Sequence, residues 1–156
     1  MSARYVWPIR VYYEDTDAGG IVFYANYLKF FERARTEWLR AQGFGQHEMQ
    51  ATYGAMFVVK STTVDYVSPA RLDDELELTV EVEKTGNASV NFVQEAWRID
   101  RNAPEGTAPR LLARGRICVV CVDMASFRPQ AIPAPILNSL QQANMSAPAA
   151  EAKLSA

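Results

Sequence analysis

The chain is poor in the residues that many catalytic and structural chemistries require. It holds two cysteines, Cys118 and Cys121, and one histidine, His47, in 156 residues. A structural zinc site usually takes four Cys or His ligands, which these three cannot supply, and no metal is expected. A histidine-based triad, or the His/Asp pair of a hydratase, would have to centre on His47 in Gly43-Phe-Gly-Gln-His-Glu48. A solvated loop histidine is the simpler reading there. Cys118-Val-Val-Cys121 has redox spacing, but it lies inside a β-like run where residues three apart face opposite sides. Two small core residues are expected instead. There is no G-x-G-x-x-G, no G-x-x-x-x-G-K-[ST] and no G-x-S-x-G, which leaves no signal for a dinucleotide fold, a P-loop or a serine elbow. No window approaches the ~20 apolar residues of a membrane span. The segment Met-Ser-Ala-Arg-Tyr-Val-Trp-Pro has no leader-like apolar core, so a cytoplasmic protein without a transmembrane segment is expected. Sixteen basic residues against eighteen acidic ones give a net charge of −2. No global positive field exists to recruit nucleic acid or an anionic membrane.

What remains is ordinary globular material, with hydrophobic types at 49% and charged types at 22%. At this length one domain burying roughly 70% of its unfolded surface is the expectation. Tyr5 to Tyr13 is rich in β-branched and aromatic types and predicts a first strand. From Asn26 the period changes: Tyr27, Phe31, Ala34 and Trp38 recur at helical spacing, Phe30 widens the face, and Gly43 offers a stop. Asn26 is the expected N-cap. After a loop containing Gly54, β patterning resumes over Phe57–Val67, Leu76–Glu83, Val90–Ile99 and Leu111–Val122, with Thr85-Gly-Asn-Ala88 as a hairpin turn. The order of one strand, a long helix and four hairpin-linked strands predicts an α+β domain, mostly antiparallel, with the helix on one face. That domain should span residues 1–135. A short helix is expected over 136–144, and a disordered tail over 145–156, where large apolar side chains are scarce.

The segment with chemical potential is Glu14-Asp15-Thr16-Asp17-Ala18-Gly19-Gly20. It reads in three ways. Acidic and glycine residues are common in turns for backbone reasons alone. A calcium loop starting at Asp15 would place Gly19 at position 5 and Asn26 at position 12, where oxygen ligands are required, so an EF-hand fails. A catalytic reading joins two features. Gly19 and Gly20 allow a tight turn and close approach of a ligand, and the first amides of the following helix, at about residues 24 to 27, lack intrahelical acceptors. A carboxylate just upstream could attack a carbonyl or activate water.

Tyr13-Glu-Asp-Thr-Asp-Ala-Gly-Gly-Ile-Val-Phe-Tyr-Ala-Asn-Tyr27, with Phe31-Glu-Arg-Ala-Arg-Thr-Glu37 and Asp65-Tyr-Val-Ser-Pro-Ala-Arg-Leu-Asp-Asp74, resembles the acyl-CoA thioesterases of the hotdog fold. It is most similar to the YbgC-type branch associated with the Tol–Pal envelope system, and shares a pattern with 4-hydroxybenzoyl-CoA thioesterase. The resemblance covers roughly residues 5 to 135. It implies a curved antiparallel sheet of about five strands wrapped around one long helix, two subunits pairing to make two sites, and a homodimer or homotetramer. It places the carboxylate of thioester hydrolysis on Asp17 and the oxyanion donor on the main-chain N–H of Tyr24. Many YbgC-type members carry histidine at the Tyr24 position, whereas the hydroxybenzoyl-type pattern carries tyrosine. Gly19, Gly20 and Ser61 are the candidate substrate-binding residues. Lys60, Arg71, Lys84, Arg114 and Arg116 are scattered candidates for the coenzyme's phosphates. Acyl-CoA is the expected substrate, with acyl carrier protein thioesters as a second candidate. Coenzyme A enters as part of the substrate, so no cofactor is expected. Beside the hydrolase stands a different class, a non-catalytic acyl-thioester-binding or envelope-scaffold module of the same fold, which turnover would distinguish.

Overall fold

Period-two alternation of apolar residues builds the sheet, and bulges bend it. The computed structural model describes residues 5–145. Its elements in chain order are β1 (Tyr5–Arg10), a 3₁₀ turn (Tyr13–Asp15), α1 (Asn26–Ala41), α2 (Gln46–Tyr53), β2 (Ala55–Tyr66), β3 (Glu75–Thr85), β4 (Ser89–Ile99), β5 (Arg110–Asp123) and α3 (Ala134–Met145). The strands form one five-stranded sheet in the order β1-β3-β4-β5-β2, antiparallel at every pairing. The ladder shifts register at Val59/Ser61, Val82/Lys84 and Ala96/Trp97. Such irregularities add twist and bend, which curls a sheet around what it packs on. β2 pairs only with β5 and is therefore an edge strand, with Val59 to Thr63 exposed.

The sheet packs on α1. Tyr27, Phe30, Phe31, Ala34, Trp38 and Leu39 are buried along one face of that helix, each large side chain stabilising by about 1.5–3 kcal/mol. Phe31 lies directly over Gly115 of β5: a Cβ at Gly115 would stand 2.9 Å from Phe31 Cε2. The missing side chain is what lets the helix approach. A polar tie reinforces the contact. Gln94 of β4 is fully buried, and its amide nitrogen donates to the Phe31 carbonyl at 3.0 Å and the Thr79 carbonyl at 3.4 Å. Its Oε1 accepts from Arg35 Nη1 at 2.9 Å. Burial lowers the Arg35 pKa to about 10, so its guanidinium stays charged at neutral pH. Ile136 and Leu140 of α3 join the same core.

Several sequence expectations are corrected. The first strand ends at Arg10, not Tyr13, because the Asp15 carboxylate takes the Tyr12 N–H at 2.9 Å and turns the chain out of the sheet. Asn26 is the first residue of α1 rather than its cap, and its side chain is committed elsewhere. Residues 46–53 are helical, not loop. α2 is short and buries only Met49, so its apolar period is weak, and Gly54 ends it in the left-handed region at φ +61°. His47 is exposed on this helix. The C-terminal helix starts at Ala134, before the expected 136. Cys118 is half-buried and Cys121 buried, both as free thiols. The expected tail over 145–156 lies, beyond Met145, outside the described residues. Among the described residues no helix is long and apolar enough to cross a membrane.

The Phe31–Gly115 contact gives a direct test. Gly115→Ala forces a methyl against a fully buried ring, and the unfolding free energy should fall by about 1–3 kcal/mol, read from urea denaturation midpoints.

Candidate active site

Between β1 and α1 the chain folds back on itself and is anchored twice. Asp15 is buried, and its main-chain carbonyl accepts from Phe23 N–H at 2.9 Å and from Asn26 Nδ2 at 2.8 Å. Together with the Asp15–Tyr12 bond, this pins the start of α1 to the segment leaving β1. The second anchor is the stretch after β2: Val22 N–H donates to the Ala70 carbonyl at 2.8 Å, and Ile21 bridges Arg71. Asp15 is thus a structural carboxylate.

Asp17 sits at the tip of this fold. Its N–H donates to the Ile21 carbonyl at 2.9 Å, and its carbonyl accepts from Gly20 N–H at 3.0 Å. The side chain is exposed, and Oδ1 accepts from Gly19 N–H at 2.9 Å. Among the described residues Oδ2 has no partner. The turn requires both glycines. A Cβ at Gly19 would come within 3.2 Å of Asp17 Oδ1, and Gly20 has φ +83°. One carboxylate oxygen is therefore aimed and the other left open.

Downstream, the first turn of α1 presents free donors. Phe23 N–H is taken by Asp15, and Asn26 N–H by the Phe23 carbonyl at 2.9 Å. Among the described residues the N–H groups of Tyr24 and Ala25 donate to no acceptor. Unpaired amides at a helix start, aided by the helix dipole, stabilise negative charge. The Tyr24 ring is 63% exposed, so its phenol stands in solvent. Its carbonyl, however, accepts from the Tyr66 hydroxyl at 3.0 Å. Tyr66 also meets the rings of Tyr24 and Tyr27 edge-on, with centroids 6.1 and 5.6 Å apart. Tyr27 is buried beneath them, and desolvation pushes its phenol up to about 12, against a smaller opposing hydrogen bond with the Ala70 main chain.

Asp17, Gly19, Gly20 and Tyr24 thus lie on one short, doubly anchored segment. Ser61 does not join them within the chain: it stands on exposed β2, five residues or about 16 Å along the strand from Tyr66. Of the candidate cations, Arg116 is paired with Glu83 at 2.9–3.0 Å and Arg114 lies 3.8 Å from Glu95. Arg71 is the one bridged to the Asp17 turn, through Ile21. Tyr66 and the structural role of Asp15 were not apparent from the sequence, whereas the amides of Tyr24 and Ala25 fall within the expected range of residues 24 to 27. Tyr66 lies inside the Asp65–Asp74 motif, but nothing in that motif tells which backbone group its hydroxyl meets. A groove of about 420 Å³ runs between α1 and strands β2, β4 and β5, lined among others by Glu32, Arg35, Leu39, Phe57, Val59 and Phe92. It opens roughly 9 Å along α1 from Asn26, at 1.5 Å per residue.

A five-stranded antiparallel sheet curled on one long helix, with a carboxylate-bearing turn before that helix, is the hotdog architecture. A solved 1,4-dihydroxy-2-naphthoyl-CoA thioesterase from Synechocystis superposes with a TM-score of 0.76, over 89% of this chain and 96% of that one. At 18% identity that likeness is one of fold. Sequence comparison goes further. Residues 19–105 match the thioesterase superfamily. The acyl-CoA thioester hydrolase YbgC of Escherichia coli O6:H1 is 43% identical over 136 residues, 87% of this chain and 95% of that protein. The acyl-CoA thioesterase YbgC of Haemophilus influenzae is 43% identical over 127 residues, 81% and 87% of the two chains. The chain belongs to the thioesterase superfamily, in its YbgC branch, and is a thioester hydrolase.

The two neighbouring aspartates should separate cleanly in stability measurements. Asp15→Ala leaves the Tyr12 N–H without its acceptor and should cost about 1–2 kcal/mol in thermal or urea unfolding. Asp17→Ala should stay within about 0.5 kcal/mol of the parent.

Proposed function

We propose that this hydrolase cleaves acyl-CoA to the free acid and CoA, using Asp17 and the helix-start amides. The observation that carries the proposal is the pairing of an open Asp17 Oδ2 with unpaired N–H groups at residues 24 and 25 on the same anchored segment. The thioester carbonyl oxygen accepts from the Tyr24 N–H. Asp17 either takes a proton from the attacking water, giving the acid directly, or attacks the carbonyl carbon itself. In both routes the C–S bond breaks and the CoA thiolate leaves and takes up a proton; in the second, water then hydrolyses the acyl–Asp17 anhydride, releasing the acid and restoring the carboxylate. After single turnover in ¹⁸O-labelled water, label in the Asp17 carboxylate identifies the covalent route with water attacking the Asp17 carbon.

Other parts of the molecule fit this reading. The groove beside α1 has apolar walls at Leu39, Phe57 and Phe92 and suits an acyl group. Arg71, held against the Asp17 turn, is the candidate cation for the coenzyme's phosphates. Acyl carrier protein thioesters would offer the same reacting group, and the position beside the Tol–Pal system is proposed from resemblance alone. The free thiols of Cys118 and Cys121 suit a cytoplasmic setting. The exposed edge of β2 supports a homodimer, because an open strand edge is a template for pairing. Ser61 on that edge would then contact substrate held by a second copy. Light scattering should therefore give at least twice the 17.4 kDa chain mass, and a mass of one chain at working concentration would count against the shared site.

Steady-state kinetics on short, long and aromatic acyl-CoAs tests the chemistry. Asp17→Asn should lower kcat by about 10²-fold or more, within the range for loss of a general base, with a far smaller change in KM. Tyr24→Phe keeps the main-chain donor and should lose activity only modestly. Full activity in Asp17→Asn would sink the mechanism. A Tyr24→Phe enzyme as impaired as Asp17→Asn would move the chemistry to the phenol.

A further inference from the structure

We propose that Tyr66 is a positioning residue of the oxyanion site, holding the Tyr24–Ala25 peptide so that Ala25 N–H acts as a second donor beside Tyr24 N–H. The inference rests on the acyl-transfer reading of the site given above, and begins with two peptide groups. In the Phe23–Tyr24 peptide, the carbonyl is held by Asn26 N–H at 2.9 Å and the N–H is free. In the Tyr24–Ala25 peptide, the N–H is also free, but the carbonyl is held at 3.0 Å by a side chain, the Tyr66 hydroxyl. The backbone partner of that carbonyl, Tyr27 N–H, is at 3.4 Å, a long bond. A planar peptide fixed at its oxygen is fixed at its N–H. A hydrogen bond accepted by the carbonyl also polarises the unit and strengthens the N–H as a donor.

Tyr66 is itself rigidly placed. It pairs with Ala113 at the end of β2, and the next two residues both donate to the Leu112 carbonyl, at 2.8 and 3.1 Å. The edge-on contacts with Tyr24 and Tyr27 fix the ring as well. Burial and the neighbouring Tyr24 phenol hold the Tyr66 hydroxyl above its usual pKa. It therefore remains an O–H donor through neutral and mildly alkaline pH. An oxyanion donor works by being in place before charge develops, and Tyr66 removes the freedom of this peptide to turn away. β2, the edge strand, thereby reaches the chemistry at α1.

The test is Tyr66→Phe in the full chain, which keeps the ring and deletes only the hydroxyl. Unfolding midpoint and KM should match the parent, while kcat falls about five- to tenfold, the size expected for one neutral hydrogen bond acting on the transition state. In a ¹H–¹⁵N spectrum the Ala25 amide should shift upfield, with changes confined to residues near 24–27 and 66. Unchanged kcat with an unshifted Ala25 amide overturns the role. Spectral changes spread through the core, with kcat and the unfolding midpoint falling together, overturn it in favour of a purely structural tyrosine. Asp17→Asn in the same assay separates the two levels. If it is inactive and Tyr66→Phe is fully active, only the Tyr66 inference fails. If Asp17→Asn is fully active, the site reading fails and takes this one with it.

Discussion

The seating of α1 on the curled sheet governs the rest of the molecule. Phe31 over Gly115, with Gln94 tying the Phe31 carbonyl and Arg35 to β4, sets the height and rotation of the helix. The segment entering α1 is then fixed by Asp15, whose carbonyl accepts from Phe23 N–H and Asn26 Nδ2, and by Ala70, whose carbonyl accepts from Val22 N–H. The free amides at 24 and 25 are a consequence of that placement. A core methyl added at Gly115 would therefore act at a distance, through the helix, on the site.

The site divides its acidic residues by environment. Asp15 is buried and its Oδ2 accepts from the Tyr12 N–H, whereas Asp17, two residues on, has an exposed side chain whose Oδ1 accepts from the Gly19 N–H. Two like side chains thus take different roles because the turn reverses between them. The same division holds for the tyrosines. Tyr27 is buried and its phenol is pushed up by desolvation, Tyr24 is exposed, and the Tyr66 hydroxyl donates to the Tyr24 carbonyl. In the proposed hydrolysis these donors would act by being in place before charge develops.

The open edge of β2 adjoins the groove, which Phe57, Val58 and Val59 of that strand help to line. In the proposed dimer that edge would be covered, and Ser61, which is exposed on it, would meet the second copy.

Local chemistry was legible in the sequence wherever it depended on neighbours along the chain. The α1 face at Tyr27, Phe31, Ala34 and Trp38, the alternation of Leu76 to Glu83, and the Asp17-Ala-Gly-Gly turn follow from period and from backbone preference. α2 was not legible because eight residues burying one methionine leave almost no period. The 3₁₀ turn at Tyr13–Asp15 escaped because the apolar and aromatic run continues to Tyr13, while one side-chain bond, Tyr12 N–H to the Asp15 carboxylate, turns the chain. Which carboxylate stays open, which amides stay unpaired, and that Tyr66 meets the Tyr24 carbonyl 42 residues away were decided only by tertiary structure. Those contacts join segments whose separation along the chain carries no information about their distance. Packing on α1 brings them together, and packing is a property of the whole core.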